Sequence, residues 1–205
     1  MSMEQAMLDI PPDFAARLEP IDAPLPDAGR LRHAAVLAIL LPERATAQRE
    51  GTRLVLIERS GSLRAHAGQL AFPGGKPEPG DPSLLDTALR EAEEEVVLAR
   101  RDAGVLGRLS AVPTPTGFMI VPYVAWAPQG WQPTLGASPE VHRILTPTLS
   151  LLGDPAVHRI TGGGVWDGYR YELHEFAIHE PPLWGATARM VWDLLERLRG
   201  AESPG

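Results

Sequence analysis

At residues 33–41 the chain reads HAAVLAILL, and after a polar segment residues 52–59 read TRLVLIER. Aliphatic and β-branched runs of this length form core strands. A third short strand, QLAF, ends in Pro73, Gly74 and Gly75, where a strand gives way to a loop that only glycine shapes freely. GVLGRLS, FMIVPYVAWA at 118–127, VHRIL and the alternating YRYELHEFAI read as further strands. Two long helices accompany them, one predicted over about 82–98 and one over about 183–199, where Leu183, Met190, Val191, Leu194, Leu195 and Leu198 recur at helical spacing. Many strands with two long helices predict an α/β (α+β) sandwich around a mixed central sheet.

The 205 residues, 44% hydrophobic and 22% charged, suit one domain with a sizeable core. We expect it over residues 31–200. Residues 1–30 are Pro-rich and read as an arm with a short helix at PPDFAARLE, and residues 201–205 as a tail. No apolar run approaches the roughly 18 residues of a membrane span, and the N-terminus lacks the basic start and apolar stretch of a leader. The absence of cysteine rules out disulfides, thiolate catalysis and cysteine-ligated zinc, and fits a reducing compartment, so the cytoplasm is the expected location. A net charge of −7 without a basic, aromatic-interleaved patch argues against a nucleic acid polymer as partner. An anionic small molecule bound by such a chain needs backbone amides, a few arginines or a cation.

The stretch REAEEEV, residues 90–96, puts four carboxylates into five consecutive positions of the first helix. Like charges three and four residues apart repel by roughly 0.2–0.5 kcal/mol per pair. Asp81 before Pro82 is the expected N-cap. At 100° per residue Leu85, Leu89, Ala92 and Val96 form the expected buried stripe, Glu91, Glu94 and Glu95 share another face, and Glu93 points away. Carboxylates at i, i+3 and i+4 can share a hard cation, with Arg90 within reach of Glu94. An acidic run on an arbitrary helix is a solvated face. Here a strand ending in Phe-Pro-Gly-Gly leads into the helix, so glycine amides and a carboxylate-held cation can converge on one anionic ligand.

From Gly75 through ALREAEEEV the chain resembles a Nudix hydrolase, with Arg90, Glu91, Ala92, Glu94, Glu95 and Leu98 filling the second half of the box. It departs in three places. Asp81 stands where Glu is usual, the stretch to Arg90 is one residue too long, and Val97 replaces a late glycine. Upstream, RSGSLRAHAGQLAFPGG at 59–75 resembles the second motif of the coenzyme A pyrophosphatase branch at every fixed position, and TPTGF, PEVHRILTPTLSLL and LWGATAR extend the likeness over most of the chain. That branch also carries the longer loop and weakened glycine.

The resemblance implies an αβα sandwich, Mg²⁺ or Mn²⁺ as cofactor, and cleavage of coenzyme A into 4′-phosphopantetheine and 3′,5′-ADP by a monomer or homodimer. It implies Glu91 and Glu95 as metal ligands and Glu94 as a further ligand or the group that deprotonates water. Glu94, Glu95 and Arg90 thus form the catalytic group. Arg59, Arg64, His66, Phe72, Gly74 and Gly75 fall on the substrate side. Arg59 and Arg64 either meet the phosphates or are ordinary surface arginines, and His66 is either a site residue or structural. Glu140 is an alternative base or a surface carboxylate. PTPTG shapes the substrate rim or merely turns the chain, and the five tryptophans read as packing residues. Two other functions stay open: a Nudix enzyme for another nucleoside diphosphate derivative, which does not need the 59–75 pattern, and a noncatalytic binding protein on the same fold.

Overall fold

The computed structural model describes residues 10–42, 51–61, 68–166 and 169–200. The first apolar run forms β1 (Arg32–Leu41) inside a six-stranded mixed sheet. Its alternation divides the core: Ala35, Leu37, Ile39 and Leu41 belong to one apolar cluster, Ala38 and Leu40 to another, and all six are buried. A strand covered on both faces reads as a continuous apolar run because neither set of alternate positions meets water.

The second run does not stay in one sheet. β2 (Arg53–Leu54) pairs with β1, Val55 still donates to Ile39 O, and β3 (Leu56–Arg59) then pairs with β4 (Leu70–Ala71). β5 (Gly74–Gly75) returns to β1, antiparallel, with Ala35 opposite Gly75. It leads into α1 (Leu84–Val96). β6 (Gly104–Arg108) and β7 (Val112–Thr114) both pair with β8 (Phe118–Trp126), which lies parallel to β1 from Arg32 opposite Phe118 to Leu40 opposite Trp126. β9 (Val141–Leu145) completes the second sheet on the other side of β3. After the single turn of α2 (Leu149–Leu152), β10 (His158–Trp166), β11 (Tyr169–Phe176) and β12 (Leu183–Trp184) form a third sheet. α3 (Gly185–Arg199) follows.

α1 packs Ala88, Ala92 and Val96 against Leu37, Ile39, Val121 and Tyr123 on one face of the main sheet. α3 packs Met190, Val191, Leu194, Leu195 and Leu198 against Ala38, Leu40 and Val124 on the other. The expected sandwich of mixed sheet and two long helices is therefore the observed one. The helix expected in PPDFAARLE is a 3₁₀ turn, Phe14–Arg17. Phe14 and Leu18, within the expected arm, belong to the core on the α3 side, and Arg17 donates to the carbonyls of Arg197 and Leu198 at 2.9 and 3.1 Å. No helix among the described residues is long and apolar enough to cross a membrane.

Candidate active site

α1 begins two residues later than expected. Ser83, not Asp81, is the N-cap: its hydroxyl oxygen accepts from the Asp86 N–H at 3.2 Å, and Asp86 returns a carboxylate to the same hydroxyl at 2.6 Å. Ser83 thus caps the helix through its side chain, and Asp86 fixes that side chain by accepting from its hydroxyl. Asp81 is already occupied. It accepts from Arg90 through Nε and Nη2 at 3.1 Å each, from the Thr87 hydroxyl at 3.0 Å and from the Glu78 N–H at 2.9 Å. The Arg90 hydrogen bonds, the largest influence, hold the Asp81 carboxyl down at about 2. Thus the residue replacing the usual box glutamate anchors the arginine rather than the helix end. The buried side of α1 is also rotated from expectation. Thr87, Ala88, Ala92, Glu95 and Val96 are buried, while Leu85 and Leu89 lie half-exposed at the margin.

Glu95 is the most enclosed of the glutamates, only 2% exposed, and one of its oxygens accepts from the Gly74 N–H at 3.0 Å. Burial outweighs that bond and pushes the Glu95 carboxyl up to about 8, with further upward pressure from Glu91 and Glu140 and a downward pull from Arg59. Glu91 is raised in the same direction by burial, opposed by Arg90. Gly75 makes room for it: a Cβ there would overlap Glu91 Oε1 and lie 2.7 Å from its Cδ. At Gly74 a Cβ would lie 2.6 Å from Val36 Cα, so both glycines serve close approach between β1 and the helix. Gly74, expected to offer its amide to a substrate phosphate, gives it to Glu95 instead, because a buried carboxylate without donors is more costly than a solvated ligand site.

Arg90 organises the outer edge. Its Nη1 lies 3.1 Å from Glu91 Oε1 and 3.5 Å from Glu94 Oε2, and Nη2 donates to the Lys76 carbonyl at 3.2 Å. The Glu94 side chain is 52% exposed. Glu93 leaves the cluster as the helical wheel predicts, with its carboxylate 3.7 Å from Arg100 Nε. Arg59 and Glu140 meet in an ion pair at 2.9 Å, and Ser60 donates to the Glu140 carbonyl at 2.7 Å. The charge of Glu140 acts on both Glu91 and Glu95. Two segments far apart in sequence are thus brought to the same carboxylates.

Phe72 is a correction. It is 2% exposed and packs in the core cluster of α3, because in QLAF it stands at an inward position one residue beyond β4. Its place in the Phe-Pro-Gly-Gly motif is structural. Arg64 and His66 lie outside the described residues. The PTPTG segment turns the chain, with Thr114 Oγ1 bonding both the N–H and the carbonyl of Phe118 at 3.1 Å.

Among the described residues no three His, Cys, Asp or Glu side chains converge closely enough to hold a metal ion as they stand. The donor chemistry nevertheless fits a hard divalent cation. Glu91 and Glu95, one turn apart, are both desolvated, and burial raises both carboxyls by disfavouring the charged form that a bound cation would stabilise. Glu94, on the same face, is tied to Arg90 through one oxygen at 3.5 Å.

Fold and site together define an α/β sandwich with a carboxylate site suited to a hard cation and an anionic ligand. The NUDIX domain profile matches residues 31–152. A Photorhabdus laumondii protein named uncharacterized Nudix hydrolase NudL is 34% identical over 189 residues, covering 91% of this chain and 94% of that protein. A Yersinia pestis protein of the same name is 35% identical over 153 residues, covering 71% and 72%. The chain belongs to the Nudix hydrolase family. Among solved structures, a MutT/nudix family protein from Enterococcus faecalis shares the fold at a TM-score of 0.50 and 16% identity, over 85% of this chain and 63% of that one.

Proposed function

We propose that this Nudix hydrolase is a coenzyme A pyrophosphatase, splitting the diphosphate of coenzyme A, or of its acylated or oxidised forms, into 3′,5′-ADP and 4′-phosphopantetheine. The observation that carries the reading is the contact between the 59–75 motif and the glutamate helix. The Gly74 N–H bonds Glu95, Gly75 leaves space for Glu91, and Arg59 sits on Glu140, whose charge reaches both glutamates. The two ends of the motif that resembles the coenzyme A branch, Arg59 and Gly74–Gly75, therefore lie beside these carboxylates.

Glu91 and Glu95 would hold the Mg²⁺ or Mn²⁺, with Glu94 adjoining. A bound divalent cation supplies Lewis-acid neutralisation of the diphosphate oxygens. The chain's own groups do the rest. Arg90, fixed by Asp81, orients Glu91 and Glu94. Glu94, partly in solvent, takes the proton of the attacking water. Water adds to one phosphorus, the bridging P–O bond breaks, and both halves leave as phosphate monoesters. Arg59 exchanges Glu140 for a substrate phosphate, a contact of the bidentate kind that guanidinium groups make.

The test is incubation with Mg²⁺ and a panel of coenzyme A, acetyl-coenzyme A, ADP-ribose, NADH and nucleoside triphosphates, with products identified by mass. Coenzyme A should turn over fastest, yielding 3′,5′-ADP. Faster turnover of ADP-ribose overturns the substrate assignment.

A further inference from the structure

The metal-side glutamates sit at the wrong end of their helix. A helix C-terminus carries partial negative charge and four carbonyls without intrahelical partners. α1 ends there with Glu93, Glu94 and Glu95, no basic residue in its last turn, and Val97 in the left-handed region at φ 59°. The Val97 and Leu98 amides both turn back to Ala92 O, which leaves the carbonyls after it without partners from within the helix.

The loop between β8 and β9 meets them. Gly136 N–H donates to Glu95 O at 3.0 Å, Thr134 N–H to Val96 O at 3.3 Å, and the Trp131 indole Nε1–H to Val97 O at 3.2 Å. Three donors from one short segment thus serve three consecutive carbonyls. The approach is close enough to demand glycine. A Cβ on Gly136 would overlap Glu94 O and lie 2.7 Å from Glu94 C and 3.3 Å from Glu95 C. Backbone strain is not the reason, because Gly136 does not have positive φ. The obstructing atoms are helix backbone, which cannot swing aside like a side-chain tip.

We propose that residues 131–136 form a clamp that fixes the last turn of α1, and that Gly136 is a positioning residue for the carboxylates of Glu94 and Glu95. An added methyl at 136 pushes the backbone of these two residues away from the loop, moving both carboxylates relative to Glu91, which lies a turn earlier and is not among the atoms it meets. This inference rests on the reading of the glutamates as cation ligands.

The experiment compares wild type, Gly136→Ala, Trp131→Phe and Gly80→Ala. Gly80 is the control, since a Cβ there meets nothing within 4 Å. Two quantities are read: amide hydrogen exchange of the metal-free protein across residues 92–98, and Mn²⁺ affinity by electron paramagnetic resonance without substrate. Gly136→Ala should keep a cooperative unfolding transition, speed exchange in the last turn of α1 by tenfold or more, and weaken Mn²⁺ binding by tenfold or more. Trp131→Phe, which removes the indole donor together with part of the ring packed against the α1-side core, should do the same to a smaller extent, about three-fold, and it carries the test if Gly136→Ala does not fold. Gly80→Ala should match wild type in both. Wild-type exchange and Mn²⁺ affinity in Gly136→Ala, or in Trp131→Phe where that variant carries the test, overturns the clamp. Failure of wild type itself to bind Mn²⁺ overturns the ligand reading on which the clamp depends.

Discussion

The two helices that enclose the sheet end in opposite ways. α3 places Arg197 and Arg199 in its last turn and stops at Gly200 with φ 81°, and the Arg17 guanidinium covers its Arg197 and Leu198 carbonyls. Cations at a C-terminus and a left-handed glycine after it both favour that ending. α1 has carboxylates where α3 has arginines, and a β-branched valine where α3 has glycine. Its start is the better made one, with the Ser83 side chain accepting from the Asp86 N–H, whereas α3 begins at Trp184 without a side-chain cap. Unfavourable choices gathered at one end of one helix are what the proposed site would cost α1, and α3 carries no such choices in its last turn.

Glu95→Gln breaks this contrast most sharply. Glutamine keeps an oxygen for the Gly74 N–H and removes a carboxyl whose burial is unfavourable. Turnover should fall on the order of 100-fold or more, which is about 2.7 kcal/mol in the barrier. The metal-free variant should be at least as stable as wild type by urea unfolding. Near-normal turnover would remove Glu95 from the site.

On the α3 side a comparable free energy should appear in stability alone. His174 is buried, stacks with Trp192 at 5.2 Å between centroids, and lies 3.0 Å from His158 Nε2 through Nδ1. Desolvation, and secondarily the charges of Arg189 and His158, hold it down at about 4, while Glu172 approaches Nε2 at 3.6 Å. The folded-state value lies below the unfolded 6.5, so between them the unfolded chain binds the extra proton. This contribution is therefore complete above pH 6.5 and is lost as pH falls toward 4, by on the order of 3 kcal/mol. His174→Gln should flatten that part of the stability profile while activity at pH 7.5 stays within two-fold. An unchanged acid slope refutes the assignment.

These differences were unevenly legible in the sequence. The long elements declared themselves in two ways: β1 and β8 as unbroken apolar runs of strand length, α1 and α3 through helical period, and the divergence of Glu93 from the other three glutamates followed from helical geometry. What escaped depended on contacts distant in sequence. Nothing local shows that Val55 is where TRLVLIER passes from one sheet to another. β10 carries Gly162, Gly163 and Gly164, which leave no side chains from which to read alternation. Asp81 looked like a cap because Pro82 follows it, yet Arg90, nine residues on, competes more strongly for its oxygens. Phe72 shares a motif with Gly74 and Gly75 but not their surroundings, since alternation turns it inward. The loop donors at Trp131, Thr134 and Gly136 have no sequence signature at all, being defined only by the carbonyls they reach.

Making α1 end as α3 does is a milder perturbation. Val97 is 49% exposed, so its side chain contributes little packing, and a left-handed conformation costs an L-residue about 1–2 kcal/mol. Val97→Gly relieves this against a glycine entropy cost of roughly 0.5–1 kcal/mol. A net gain of about 0.5–1 kcal/mol in urea unfolding is expected, with the Trp131 bond to the residue 97 carbonyl retained and turnover within two-fold. Loss of stability would mean that the valine side chain is held by contacts its exposure does not suggest.

The smallest expected effect separates neighbours on the same turn. Glu93 lies between the buried Ala92 and the glutamates proposed for the site, yet its side chain is 50% exposed and its ion-pair partner Arg100, at 3.7 Å, is itself part-solvated. Such a pair contributes roughly 0–1 kcal/mol, and removing a negative charge from a helix C-terminus returns a few tenths. Glu93→Gln should therefore leave stability within about 0.5 kcal/mol and turnover within two-fold, although it lies next to Glu94 in a run of like residues. Because 100° of rotation per residue turns Glu93 from Glu94 and Glu95, charge neutralisation here tests orientation, with total helix charge as the alternative. A turnover loss matching that of Glu95→Gln would show that the catalytic face responds to the summed charge of the run, and the division of the four carboxylates into site and surface would fail.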